Sequence, residues 1–92
     1  MKLTGTISEN CDYFETNMNL IISRLSINHK IWIKANNVVV QDVLLSNNDL
    51  ILKGNNLVNE GAIYSQKLEI VFNKVVNKGK IITDTIKTNT LN

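Results

Sequence analysis

Leu57-Val58-Asn59-Glu60-Gly61-Ala62-Ile63 and Val75-Val76-Asn77-Lys78-Gly79-Lys80-Ile81 share one pattern, apolar-Val-Asn-x-Gly-x-Ile, eighteen residues apart. A fixed period of this length marks units that stack on one another. The register continues beyond the pair. Leu68 and Ile70 repeat Leu50 and Leu52 after eighteen residues, Ile31 and Ile33 precede them by nineteen, and Ile86 follows Leu68 by eighteen. Three sets of equivalent segments emerge. The first is CDYFET (11–16), KIWIKA (30–35), DLILKG (49–54), KLEIVF (67–72) and DTIKTN (84–89). The second is NMNLIIS, NNVVVQD, NNLVNEG and NKVVNKG, and the third is RLSINH, VLLSNN, AIYSQ and KIITDT. Gly5-Thr6-Ile7-Ser8 reads as a degraded copy of Gly61-Ala62-Ile63-Tyr64-Ser65. The whole chain, 1–92, reads as one repeat domain, regular from about residue 30 and degenerate over 1–29.

Within each segment the apolar residues alternate, as in Ile31/Ile33 and Leu68/Ile70, which is a strand with one buried face. Three such strands of four to six residues, joined by tight corners, close one coil. The next coil lies ~4.8 Å above it. The spacing therefore predicts an all-β parallel β-helix of about four to five coils. No coil buries enough apolar surface to stand alone, and stacking makes the core continuous. An antiparallel sandwich or barrel also has short strands with Asn-rich turns, but does not require one apolar pattern every eighteen residues. VVVQDVLL (38–45) is compatible with a helix only in isolation.

Fifteen of the 92 residues are Asn and none is Pro. Asn17, Asn36, Asn55 and Asn73 recur at one corner, where their amides are expected to form a ladder and where Asn tolerates a left-handed turn. Gly61 and Gly79 are expected to supply positive φ at a second corner.

The remaining composition excludes more than it assigns. The net charge of +2 is scattered. Lys74, Lys78 and Lys80 come closest to a basic cluster and read as a solvated strand edge, so no nucleic-acid partner is expected. The opening MKLTGTISEN has no apolar run of a secretory signal, and no stretch reaches the length of a membrane span. The expectation is a soluble chain with no membrane insertion. Cys11 is single and forms no CxxC or Cys/His spacing. Cys11 and His29 lie one coil apart, yet a nucleophile needs an oriented base and a third partner, and His29 reads as a turn residue. Asp42 and Glu60 are the one carboxylate pair at coil spacing, with too few oxygens for a tight cation site. Ser8, Ser26, Ser46 and Ser65 read as turn or outward residues. Trp32, and with it Tyr64, is expected to face outward, where an isolated surface aromatic is the favoured reading and a contact surface the alternative. No catalytic, cofactor-binding or metal-binding residue is assigned, and no enzymatic activity is expected.

LVNEGAIYSQKLEIVF (57–72) and VVNKGKIITDTIKTN (75–89), with a weaker copy at LTGTIS (3–8), resemble the repeats of filamentous haemagglutinin-like exoproteins. These large bacterial proteins travel by two-partner secretion and include adhesins and contact-dependent inhibition toxins. The resemblance implies a right-handed β-helix serving as a rigid shaft, a secreted or cell-surface location, and a host-cell or cell-surface target. Against such proteins this chain reads as a fragment, a remnant or a stand-alone piece of shaft. A cytoplasmic β-helix that polymerises end to end, in the manner of bactofilins, is the alternative. A ligand-binding module using the Trp32 face is a third reading. Unpaired backbone on the outermost coils leads to an expectation of end-to-end self-association, which TIKTNTLN (85–92) would shield only in part.

Overall fold

The computed structural model describes residues 2–7 and 12–89. These form ten strands: β1 (Lys2–Thr6), β2 (Tyr13–Glu15), β3 (Leu20–Ile27), β4 (Ile31–Lys34), β5 (Asn37–Ser46), β6 (Asp49–Lys53), β7 (Asn56–Asn59), β8 (Ala62–Val71), β9 (Lys74–Asn77) and β10 (Lys80–Thr88). Every strand pairing is parallel, and partners lie 18 to 20 residues apart, so the chain winds as a β-solenoid of between four and five coils.

Three faces run along the axis. Face A stacks β2, β4, β6, residues 67–71 of β8 and residues 85–88 of β10. Face B stacks the start of β1, residues 20–22 of β3, residues 37–40 of β5, then β7 and β9. Face C stacks the end of β1, residues 24–27, 43–46 and 62–65, and residues 80–83 of β10. The register expected from the repeat is the register found. Ile31 pairs with Leu50, Leu50 with Leu68 and Leu68 with Ile86, while Leu57, Val58 and Asn59 pair with Val75, Val76 and Asn77.

Alternation turns every second residue inward, and equivalent residues form columns. Leu20–Val38–Leu57–Val75, Leu25–Leu44–Ile63–Ile81, Ile31–Leu50–Leu68–Ile86 and Phe14–Ile33–Leu52–Ile70 fill the interior. Their middle members are wholly buried, each stabilising the stack by roughly 1.5–3 kcal/mol. Of the outermost members, Leu20, Leu25, Ile31 and Ile70 are also buried, Phe14, Val75 and Ile81 are half covered, and Ile86 is exposed.

Several local expectations are corrected. β3, β5, β8 and β10 run eight to ten residues, longer than the four to six expected. Each strand runs through a corner where pairing lapses and then resumes, and the corner shows as two consecutive residues off the buried side, Gln41-Asp42 in β5 and Gln66-Lys67 in β8. Gly5 stands level with Leu25, Leu44 and Ile63, not with Gly61. The two-residue slip preserves the inward phase, so Ile7 still packs against the core. The buried columns begin at Leu20.

Gly61 and Gly79 do not have positive φ. Among the described residues only Gly5 does, at 97°, and no Asn does. Their role is close approach. A Cβ on Gly61 would lie 1.9 Å from the Asp42 carbonyl oxygen, and one on Gly79 would lie 1.9 Å from that of Gly61. The coils touch backbone to backbone there, and any side chain would hold them apart.

Candidate functional site

The polar residues that could do chemistry lie at the three corners and on the outward faces. At the corner from face A to face B the backbone ladder continues, with Asn55 N donating to Asn36 O at 2.9 Å and Asn73 N to Asn55 O at 3.0 Å. A side-chain ladder runs beside it. Asn73 Nδ2 donates to Asn55 Oδ1 at 2.9 Å, and Asn55 Nδ2 donates to Asn36 Oδ1. This is the ladder expected, without its first member. Among the described residues Asn17 makes no hydrogen bond to Asn36. Asn19 instead accepts from Asn37 Nδ2 at 2.7 Å, and Asn37 accepts from Asn56 Nδ2 at 2.7 Å, forming a second amide row. Asn at these corners is selected for inter-coil hydrogen bonding and not for a left-handed backbone.

Removing the central amide tests this. Asn55→Ala deletes both rungs of the first ladder at an exposed corner while leaving the backbone bonds. A net loss of about 1–2 kcal/mol is expected from two hydrogen bonds, read as a lowered urea midpoint, with Asn17→Ala unchanged. Equal effects at Asn17 and Asn55 would show that the amides act only as generic turn residues.

The corner from face B to face C is where Gly61 and Gly79 allow contact. Beside it Asn59 is fully buried in the column that carries Ile22 and Val40. Its Nδ2 donates to Asn77 Oδ1 at 2.9 Å and to Lys80 O at 2.8 Å, while its Oδ1 has no partner. The carbonyl of Lys80 requires a donor, which fixes the orientation of this amide.

The corner from face C to face A is built on hydroxyls. Ser65 Oγ donates to Lys67 O at 2.7 Å and to Asn48 O at 3.0 Å, Ser46 Oγ to Asn48 O at 3.2 Å, and Thr83 Oγ1 to Thr85 O at 2.9 Å and Gln66 O at 3.2 Å. Ser46 and Ser65 are therefore buried corner residues and not outward ones. Ser26 is exposed, and Ser8 lies outside the described residues. The Ser46/Ser65/Thr83 spacing of nineteen and eighteen is visible in the third set of segments and is the signal that identifies this column.

The titratable candidates are dispersed. Glu60 stands level with Gln41, so Asp42 and Glu60 are not stacked, because the repeat at this corner is nineteen residues long. Asp42 accepts from Arg24 Nε at 2.7 Å. That hydrogen bond, and then the carboxylate's charge, holds the Arg24 guanidinium above its ordinary pKa. His29 Nδ1 lies 3.3 Å from Asn28 Oδ1, and Cys11 lies outside the described residues. No group of three or more His, Cys, Asp or Glu side chains is placed to hold a metal ion among the described residues. Lys74, Lys78 and Lys80 are exposed on the last coil.

Outward residues stack as well. On face A, Tyr13, Trp32 and Ile51 form a stripe, with the Tyr13 and Trp32 rings 6.4 Å apart and tilted at 52°. Tyr13 and Trp32 are both exposed, as alternation requires. The Tyr13 hydroxyl donates to Glu15, and that bond, followed by desolvation and the carboxylate's charge, raises its pKa. Lys34 lies 3.8 Å from Glu15 on the same face. On face C, Leu45 and Ile82 are exposed with Tyr64 half buried between them. Among the described residues no helix is long and apolar enough to cross a membrane. No family model, curated protein or solved structure matches this chain.

Proposed function

We propose that this chain is a structural spacer, a stiff β-solenoid segment of the kind that forms the shaft of haemagglutinin-like surface exoproteins, with no catalytic role of its own. The supporting observation is how the corner polar groups are used. The Asn36–Asn55–Asn73 and Asn19–Asn37–Asn56 ladders and the Ser46/Ser65/Thr83 hydroxyls tie one coil to the next, or close a corner. Side chains committed to coil registration make a stack that resists bending.

Stiffness is measurable. Thr6 and Ile82 lie in one outward column separated by four coil spacings, or ~19 Å along the axis from the ~4.8 Å strand spacing. Spin labels at Thr6→Cys and Ile82→Cys, in a Cys11→Ser background, are expected to give one narrow distance distribution. A broad distribution overturns the spacer reading.

A second reading, a self-assembling intracellular scaffold, is favoured by parallel stacking in which, among the described strands, β1 and β2 are outermost at one end and β9 and β10 at the other. Location separates the two. A membrane-impermeant amine-reactive biotin reagent should label this chain on intact source cells if it is a surface shaft. Labelling only after lysis supports the scaffold.

A further inference from the structure

Face A presents its outward side chains as a regular grid. One column runs Tyr13, Trp32, Ile51, Glu69 and Lys87, and the column beside it runs Lys30, Asp49, Lys67 and Thr85. Two shallow pockets lie along these columns, one around Tyr13, His29 and Trp32 and one around Asp49, Ile51 and Lys67, and Lys30 lines both. Together they make one groove along the solenoid axis. From Tyr13 to Lys87 it spans four coil spacings, or ~19 Å. Its floor is aromatic at one end, where the Tyr13 and Trp32 rings are both exposed and Ile51 continues the apolar strip. Its charges balance. Lys30, Lys67 and Lys87 line the pockets against Asp12, Asp49 and Glu69, three of each sign. Among the described residues none of these six is in an ion pair, so their charged heads are available to a ligand.

We propose that this groove binds a neutral polysaccharide chain lying along the axis, with sugar rings on Trp32 and Tyr13 and hydroxyls on the Lys30–Asp49–Lys67 row. The solenoid then carries a ligand along its side, beyond any role as a spacer. Three features select this ligand. The first is the aromatic pair. The face of an aromatic ring is negative and attracts the weakly positive C–H groups on the apolar face of a sugar. The two rings are tilted at 52° to one another, so one flat ligand does not meet both, whereas sugar units joined by rotatable bonds present a face to each. The second is the alternation of sign at each coil step. A hydroxyl donates to a carboxylate and accepts from an ammonium, so a chain dense in hydroxyls satisfies Lys30, Asp49 and Lys67 in turn. A polyanion would be repelled at Asp49 and Glu69. The third is the backbone. An extended peptide docks by pairing with a free strand edge, but the backbone groups of β4 and β6 are spent on pairing between coils. Only side chains face the groove.

Trp32 is the only tryptophan in the sequence, so its emission reports on this groove alone. The full chain is titrated with cellohexaose, chitohexaose, laminarihexaose and mannohexaose, each beside its monosaccharide, and followed by fluorescence and calorimetry. At least one hexasaccharide should bind saturably, shift the Trp32 emission and bind at least about tenfold more tightly than its monosaccharide. Trp32→Ala should weaken that binding at least about tenfold in calorimetry, the scale of losing one covered aromatic, while Trp32→Tyr retains most of it. Asp49→Ala should also weaken it, and Leu45→Ala on face C should leave it unchanged. Because the ligand is uncharged, affinity should change less than about twofold between roughly 0.05 M and 0.5 M salt. Failure of all four hexasaccharides to bind, binding that Trp32→Ala leaves intact, or binding confined to heparin or an oligodeoxythymidylate and lost with salt would each overturn the proposal. The emission shift and the monosaccharide comparison on the unmodified chain decide the matter even if a variant fails to fold. A chain that binds no saccharide can still be stiff, so the titration and the Thr6–Ile82 distance fail separately.

Discussion

Adding one methyl group at Gly61 should destabilise this domain by about 3 kcal/mol or more, since overpacking costs ~1–3 kcal/mol and each hydrogen bond lost with it adds ~1 kcal/mol. The atoms it would strike are backbone atoms of the coil below: Asp42 O at 1.9 Å, Asp42 C at 2.6 Å and Asp42 Cα at 2.8 Å. No rotamer change relieves such contacts. The coils must separate at this corner, and the bonds that hold them there are Glu60 N to Val40 O at 2.8 Å and Gly61 N to Val40 O at 3.2 Å. The coil above resists the movement too, through Lys80 N donating to Gly61 O at 2.9 Å. Total stability for a chain of this length is about 5–14 kcal/mol at ~0.05–0.15 kcal/mol per residue, so the loss is a large share of it. Gly79→Ala is the internal comparison. Its Cβ meets an equivalent oxygen at 1.9 Å, but Gly79 is in the last coil, where the chain can lift away. Its expected cost is less than half that of Gly61→Ala. Urea unfolding followed by far-ultraviolet circular dichroism measures both, and equal midpoints would refute close coil approach as the reason for glycine at Gly61.

Gly61 shows which part of this fold a single sequence conveys. The period, the inward phase and the pairing of Ile31, Leu50, Leu68 and Ile86 are all legible, because each is a relation between residue types at fixed spacing. The Asn-x-Gly motif invites an explanation from local backbone preference. Its cause lies nineteen residues away, in the carbonyl of Asp42, and only stacking reveals that contact. The Asn17 error has a similar origin. One residue, Ser23, separates Ile22 from Arg24, but two, Gln41 and Asp42, separate Val40 from Val43. The repeat is thus eighteen residues before that corner and nineteen after it. Counting nineteen back from Asn36 selects Asn17, while the true spacing of eighteen puts Met18 there and pairs Asn37 with Asn19. The salt bridge from Arg24 to Asp42 escapes a sequence reading for a different reason. Its members are eighteen residues apart where the repeat is nineteen, so they meet on a diagonal that a fixed period does not display. The outward faces are legible as positions, since alternation places Trp32 outside. Alternation carries no information about what a face contacts.

Leu50→Ala should cost about 2–5 kcal/mol, the range for a buried leucine whose surroundings cannot collapse, while Ile86→Ala in the same column should cost about 1 kcal/mol or less for a side chain that is largely uncovered. Leu50 is fully buried between Ile31 and Leu68, and Ile86 is 51% exposed at the end of the column. The inability to collapse follows from the architecture. Backbone ladders on face A hold β4, β6 and β8 at a fixed spacing, so a shortened side chain in β6 leaves a void that its vertical neighbours cannot close. The stability of a stacked repeat is a sum of coil terms and nearest-neighbour interface terms. A central substitution weakens two interfaces at once, and a terminal one weakens at most one, already incomplete. The same substitution chemistry should therefore give a gradient with distance from the ends: steep at Leu50 and Leu44, shallow at Ile81 and Ile86. Equal losses at Leu50 and Ile86 in urea denaturation would mean that the last coil is covered in solution. Repeating the Ile86→Ala measurement at about tenfold lower chain concentration would then separate a covering copy of this chain from a cap formed by its own residues. A copy would leave on dilution and return Ile86 to its low cost, whereas a cap from the chain itself would persist.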